Sequence, residues 1–163
     1  MGLKEQKLQF PELRQASLGL LIEGERVLLA MKKRGFGQGK WNGVGGKPNE
    51  GEKIEVAADR EILEEIGVEV IEKTEAGRIN FYFQNRPEWN QQVVVYRVNS
   101  WRGIPRETEE MAPKWIDFDK VPYEEMWEDD KYWLPTVLDG NRMNASFLFD
   151  ENEKLLEVEI RGF

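Results

Sequence analysis

Residues Gly46–Val68 read GKPNEGEKIEVAADREILEEIGV. Within this stretch Gly46, Glu52, the Arg60-Glu61 pair, the Glu64-Glu65 pair and Gly67 stand in the register G-x5-E-x7-R-E-U-x-E-E-x-G-U, with U apolar, and every fixed position is filled. At average composition such a match has a chance on the order of 10⁻⁹ per starting position, so the spacing itself carries information. The pattern predicts a helix over 52–66, with Gly67 as a C-terminal stop and Val68 folding back. Helical spacing makes Glu61, Glu64 and Glu65 neighbours at i, i+3 and i+4. They are expected opposite an apolar stripe of Val56, Ile62, Leu63 and Ile66. Crowded carboxylates repel one another, and the nearest basic residues are Arg60 and Lys53. The face is therefore either a solvated acidic surface or the seat of a cation.

Outward from this helix, strands dominate. Residues 17–22 and 27–31 are apolar runs around Glu23-Gly24-Glu25, a β-hairpin signature. Residues 34–48 are glycine-rich and predict a shaped loop. Residues 68–71, 77–84, 91–98 and 115–118 predict strands. A short helix is expected over 130–138, with Pro135 distorting or repositioning its first turn. A closing hairpin is expected from 144–149 and 154–160 around Asp150-Glu151-Asn152. The expected fold class is α/β (α+β), a sandwich on a central mixed β-sheet. It forms one domain over 1–163, with residues 1–14 loosely held.

Composition narrows the chemistry. A chain of 163 residues with 40% hydrophobic content suits one core. No apolar run approaches the ~20 residues that span a bilayer, and the polar N-terminus is not a signal peptide, so a cytoplasmic location is expected. With neither cysteine nor histidine, there is no disulfide, no thiolate metal site and no imidazole base. The carboxylates crowded between Glu50 and Glu65 point to oxygen ligation of a hard ion, Mg²⁺ with Mn²⁺ as a substitute. A net charge of -8 argues against a nucleic-acid polymer as main partner. The charge is uneven: 26–49 holds six basic residues and no acidic one, whereas 50–75 holds ten acidic and three basic. That contrast suits a metal-bound polyphosphate, and equally a solvated loop beside a solvated helix.

The register of 46–68 resembles that of the Nudix hydrolases, which cleave nucleoside diphosphates linked to another group. The resemblance implies an α-β-α sandwich, a divalent metal, and attack of water on a phosphorus of the polyphosphate. Position by position, it implies Glu61 and Glu65 as metal ligands and Glu64 as a further ligand or the base. Glu52 becomes a ligand or a supporting group, and Arg60 the residue that orients the glutamates. Gly45 or Gly46 offers a backbone carbonyl, and Glu110 is a remote acidic residue linked to the metal.

Residues 26–47 (RVLLAMKKRGFGQGKWNGVGGK) and 126–135 (MWEDDKYWLP) further resemble the mammalian MutT-homologue branch of that family, oxidised purine nucleoside triphosphatases. This implies hydrolysis of substrates of the 8-oxo-dGTP and 2-hydroxy-dATP type to monophosphate and pyrophosphate by an enzyme that cleans the nucleotide pool; a monomer acting on a small-molecule nucleoside triphosphate is expected. The alternatives are a Nudix enzyme for ADP-ribose or a dinucleoside polyphosphate, and a nucleotide-binding module without turnover. The residues support a base pocket. Trp127 offers an indole face for a purine. Asp129 and Asp130 are adjacent acids of which one can stay protonated, so that the pair both donates and accepts. A helix N-cap would explain an aspartate here as well. Asn42 matches a base-contacting asparagine, although a turn before glycine also uses one. Phe36, Phe81, Phe83 and Trp133 match pocket walls, where core packing is the competing explanation. Ser17 and Lys32 match positions near the sugar. The chain departs from this branch in residues 1–8 and in a longer 85–92 loop carrying Trp89 and Gln91.

Overall fold

The computed structural model describes residues 1–35 and 37–162. Its eight strands are β1 (Arg14–Glu23), β2 (Arg26–Lys32), β3 (Trp41–Asn42), β4 (Glu69–Phe83), β5 (Gln91–Arg102), β6 (Met111–Asp117), β7 (Met143–Phe149) and β8 (Leu155–Gly162). They form a mixed sheet in the order β3-β2-β1-β5-β4-β7-β8, with β6 paired to β2. The β1–β5 and β4–β7 pairs are parallel, and β4–β5 and β7–β8 antiparallel. Three helices complete the described fold: α1 (Leu3–Gln9), α2 (Ile54–Ile66) and α3 (Asp130–Leu138).

Strand alternation assigns the layers. Phe83, Val93, Val95, Phe147 and Phe149 share a cluster with Trp133, Leu134 and Val137 of α3. Val94 and Tyr96, pointing the other way, pack on Ala58 of α2, and Tyr82 and Leu148 on Leu3 of α1. Helices α1 and α2 thus cover one face and α3 the other, giving the expected α-β-α sandwich.

The buried face of α2 differs from the expected stripe. Ala57, Ala58, Ile62 and Ile66 are fully covered, whereas Val56 and Leu63 are 51% and 50% exposed. Two alanines let the helix approach the sheet closely, and Gly19 of β1 reinforces this, because a Cβ there would lie 2.6 Å from Ile62 Cδ1. Fully burying an isoleucine contributes ~1.5–3 kcal/mol, and truncating Ile62 to alanine would cost ~2–5 kcal/mol. Gly67 ends the helix as predicted: it is left-handed at φ 75° and its N–H donates to the Leu63 carbonyl at 2.9 Å.

Other boundaries shift for local reasons. The two strands expected over 68–84 form one continuous strand, whose register shifts near Val70–Lys73 and Glu75–Gly77 interrupt the alternation. The glycine-rich loop contains β3, which pairs Trp41 and Asn42 with Met31 and Ala30. Pro135 sits inside α3, and the helix continues through it to Leu138. At the N-terminus, where a loosely held segment was expected, α1 buries Leu3 and ties Lys7 to Glu159 at 2.6 Å.

Candidate active site

Arginine organises the glutamate helix. Arg60 Nε donates to Glu52 at 2.9 and 3.2 Å and Nη2 to the same carboxylate at 2.8 Å. Nη1 donates to Glu61 at 3.0 Å and Glu64 at 3.1 Å, and Nη2 reaches the Lys47 carbonyl at 3.1 Å. One planar fork thus holds three carboxylates and ties the glycine loop to the helix. The Arg60 guanidinium and the Asn49 N–H hold the Glu52 carboxyl down at about 2.

Glu65 lies outside this clamp. It is 9% exposed, and its Oε2 is buried with no hydrogen-bond partner. Burial, then the charges of Glu61 and Glu110, push its carboxyl up to about 8. A concavity of about 300 Å³ gathers Glu61, Glu64, Glu65 and Glu110 with Arg34, Thr108 and Glu109. Glu110, distant in sequence, is thereby brought to the cluster, and it also accepts from Arg34 Nη2 at 3.3 Å.

Two glycines fit the loop against this cluster. A Cβ on Gly46 would meet the Glu61 carboxyl carbon at 2.5 Å, and one on Gly45 would lie 2.0 Å from the Ser17 carbonyl oxygen. Ser17 fastens the loop rather than presenting a free hydroxyl: its N–H donates to the Gly46 carbonyl at 2.8 Å, with Oγ 3.2 Å from the same oxygen. The Gly46 carbonyl is therefore engaged, and the Gly45 carbonyl accepts no bond among the described residues.

These donors suit a hard divalent cation. All the side-chain donors are carboxylate oxygens, one buried oxygen is unpartnered, and the mutual repulsion is of the kind a cation relieves. Among the described residues no three acidic groups are already drawn together around one ion position, and Arg60 holds Glu52, Glu61 and Glu64.

On the α3 face a cleft of about 390 Å³ collects the other expected residues: Ser17, Lys32, Asn42, Phe81, Phe83, Trp127, Asp129, Asp130 and Trp133. Phe36 lies outside the described residues. Phe83 stacks on Phe149 at 5.4 Å, and Trp127 meets the same ring edge-on at 6.0 Å. Asn42 Oδ1 accepts the Gly43 N–H at 2.8 Å, which leaves its amide N–H groups as the unspent donors. Both aspartates are 2% exposed; Asp129 stands at the N-cap position of α3, yet its side chain makes no capping hydrogen bond. Asp129 Oδ2 accepts Trp133 Nε1–H at 2.8 Å, so Trp133, itself buried, acts on the cleft through Asp129. Asp130 Oδ2 is buried without a partner. Burial pushes both carboxyls upward, and the Asp129 charge pushes Asp130 furthest. The pair therefore retains a proton where ordinary carboxylates have lost theirs.

Sequence reading did not single out Lys40, Phe149 or Met111 as cleft residues, and it noted Trp89 only as a departure; all four line the cleft. Lys40 Nζ lies 5.1 Å from the Trp127 ring centre, and Trp89 meets Phe83 edge-on at 5.6 Å. The parity shared by Phe81/Phe83 and Phe147/Phe149 was the one available signal, and it becomes meaningful only once β4 and β7 are known to pair.

A glutamate helix clamped by arginine, adjoining an aromatic cleft at Gly46, defines a class of hydrolase that works on a charged, base-bearing substrate. Comparison with known proteins makes the class specific: the NUDIX domain pattern matches residues 13–137, and the chain belongs to that family, whose members generally use divalent metal ions. The oxidized purine nucleoside triphosphate hydrolase of Mus musculus is 42% identical over 145 residues, covering 89% of this chain and 92% of the relative. That of Danio rerio is 45% identical over 144 residues, covering 88% and 92%. A MutT protein from Bacillus halodurans superposes with a TM-score of 0.81 over 91% of this chain and 97% of its own; at 23% identity this likeness speaks to the fold. No helix among the described residues is long and apolar enough to cross a membrane.

Proposed function

We propose that this protein is a Mg²⁺-dependent diphosphatase of oxidised purine nucleoside triphosphates, of the 8-oxo-dGTP and 2-hydroxy-dATP type, releasing nucleoside monophosphate and pyrophosphate. The observation that carries the reading is the buried Asp129-Asp130 pair in an aromatic cleft. One protonated and one ionised acid present a donor beside an acceptor, and moving the proton exchanges them. Oxidation of a purine changes which ring positions donate and accept, so such a pair suits damaged bases of both guanine and adenine type. The substrate named for the mouse and zebrafish relatives agrees.

Glu61, Glu65 and the Gly45 carbonyl would hold the cation, with Glu52, Glu64 and Glu110 around it. Bound there, Mg²⁺ (or Mn²⁺) supplies charge neutralisation to the polyphosphate and acidifies water. The chain does the rest. Arg60 orients Glu52, Glu61 and Glu64. Trp127 and Phe83 frame the base while Asn42 and the aspartates read its edge. Lys32 and Lys40 counter phosphate charge. A cluster glutamate, with exposed Glu64 well placed, accepts the proton of the attacking water as the bond between the α- and β-phosphates breaks. We further propose that the chain forms a single Nudix domain that acts as a monomer in the cytoplasm.

The test is a panel of normal and oxidised purine triphosphates, ADP-ribose and a dinucleoside polyphosphate, run in water labelled with heavy oxygen. The expected result is strong preference for oxidised triphosphates, with pyrophosphate as product. Label in the monophosphate marks attack at the α-phosphorus; label in pyrophosphate marks attack at the β-phosphorus. Equal turnover of damaged and normal purines would refute the base pocket, and binding without any product would reassign the chain as a nucleotide-binding module.

A further inference from the structure

We propose that Thr108, on the loop between β5 and β6, is a positioning residue that sets the glutamate cluster for the cation; this rests on the reading of that cluster given above. Helix α2 ends at the turn that carries Glu64 and Glu65, and the last carbonyls of a helix have no partner within it. Here the 103–110 loop supplies the partners. The Arg106 N–H donates to the Ile66 carbonyl at 3.0 Å, and Thr108 Oγ1–H donates to the Glu65 carbonyl at 2.9 Å.

The same hydroxyl accepts the Met111 N–H at 3.2 Å and the Glu110 N–H at 3.4 Å. A threonine hydroxyl has one proton to give and two lone pairs to receive, so all its capacity is used. The direction of the short bond is fixed because the Glu65 carbonyl can only accept. The Thr108 N–H adds a bond to the Met111 carbonyl at 2.9 Å. One side-chain oxygen therefore joins three peptides: that of Glu65, buried in the cluster; that of Glu110, whose charge acts on Glu65; and that of Met111, which lines the base cleft. The Glu110 backbone is fixed a second time by Lys33, whose N–H donates to the Glu110 carbonyl at 2.8 Å. Two of the three peptides belong to the glutamate cluster, and Met111 is not one of the aromatic residues of the cleft, so the influence of Thr108 falls on the spacing of Glu65 and Glu110 more than on the choice of base.

Thr108→Val keeps the shape and removes the hydroxyl; Thr108→Ser keeps the hydroxyl. Mn²⁺ affinity, measured by calorimetry without nucleotide, is expected to weaken by about 10- to 100-fold in Thr108→Val, the range seen when groups that orient metal ligands are removed. In turnover at subsaturating Mg²⁺, kcat falls alongside it, while KM for nucleotide and the ranking of oxidised purines stay within about twofold of wild type, because cation occupancy rather than nucleotide contact is lost. Thr108→Ser is expected to restore both. A Thr108→Val protein whose melting temperature drops while its Mn²⁺ affinity and kcat stay at wild-type values would overturn the proposal, since Thr108 would then be merely structural. If Thr108→Val does not fold, wild-type amide exchange decides: saturating Mg²⁺ is expected to slow exchange at Glu110 and Met111, because coupling between cation and loop is reciprocal, and unchanged exchange there overturns it. Cation affinity and exchange are read without substrate, so a wrong substrate assignment leaves this test intact.

Discussion

Gly45 and Gly46 are neighbours in sequence, and alanine at each is expected to fail in opposite ways. A Cβ on Gly46 would lie 2.5 Å from Glu61 Cδ and 2.6 and 2.9 Å from its carboxylate oxygens. Ordinary carbon contacts are about 3.5 Å, so the carboxylate must retreat by about 1 Å. That movement costs the fold little, because what yields is the end of a flexible side chain; a change of less than about 1 kcal/mol is expected. The chemistry is less forgiving, since a displacement of about 1 Å at a reacting centre costs about 10²-fold in rate. At Gly45 the added carbon would lie 2.0 Å from the Ser17 carbonyl oxygen and 2.6 Å from its carbon. This is strand backbone in β1, which cannot swing away. A loss of about 1–3 kcal/mol or more follows, or roughly 2–4 °C of melting temperature for each kcal/mol in a domain near this size.

The assay pairs thermal unfolding with pyrophosphate release for wild type, Gly46→Ala and Gly45→Ala. Gly46→Ala is expected to melt within a few degrees of wild type with kcat down about 10²-fold. Gly45→Ala is expected to melt well below it. Full activity in Gly46→Ala would show that Glu61 is not placed by the glycine loop, and a wild-type melting curve for Gly45→Ala would refute the close approach of that loop to β1.

Asp129→Asn and Asp130→Asn are expected to change the ranking of oxidised purines more than the rate of phosphate cleavage, and an unchanged ranking in both would place base reading elsewhere. The same pair gives a pH signature. The folded carboxyls titrate above their unfolded values, so their contribution is fully present below the unfolded value and is lost as pH rises through the folded ones, at up to roughly 1.4 kcal/mol per pH unit per group. Asp130→Asn should therefore gain melting temperature relative to wild type on going from pH 5 to pH 8; a constant difference would contradict the raised carboxyl. Glu65→Gln is expected to fold normally and lose most of kcat, and retained activity would remove its role toward the cation. Chelation by EDTA is expected to stop hydrolysis without altering the circular dichroism spectrum, because Arg60 already holds Glu52, Glu61 and Glu64; unfolding on chelation would show that the cation is structural.

The carboxylate helix was legible because its chemistry dictates spacing, and spacing survives in a single sequence. Its buried face was not legible. Hydrophobicity weights valine and leucine above alanine, yet close approach to the sheet at Gly19 selects Ala57 and Ala58, and Val56 and Leu63 are left half exposed. The division of 68–84 into two strands failed for a related reason: register shifts in β4 break alternation while the hydrogen-bonded ladder continues. The cleft was half legible. Trp127 and the aspartates lie in one short segment, whereas Phe149 reaches Phe83 only through parallel pairing of β4 with β7, a long-range register no local pattern carries. Thr108 carried no sequence signal at all, because its importance lies in which three peptides its hydroxyl meets.

The two acidic clusters pose one physical problem and solve it differently. Burial disfavours charge at Glu65 and at the Asp129-Asp130 pair alike. At the helix the relief is cationic: Arg60 neutralises the rim, and the uncompensated position falls at Glu65, where, on the proposed reading, a divalent ion and a proton would compete for the same oxygens. In the cleft the relief is a retained proton and the Trp133 indole N–H. Lys40 sits over Trp127 and makes no bond to either aspartate among the described residues. A cation beside that pair would ionise both acids and remove the donor on which base reading depends, whereas a retained proton at the helix would close the metal site. Each cluster therefore needs the compensation that would disable the other, and their separation into two concavities that meet where Gly46 of the cleft wall abuts Glu61 lets one molecule use both. The expected consequence is separable function: substitutions at Asp129 and Asp130 should move the ranking of oxidised purines, and those at Glu61 and Glu65 should move kcat; a shift in ranking from the Glu61 or Glu65 variants would refute the separation.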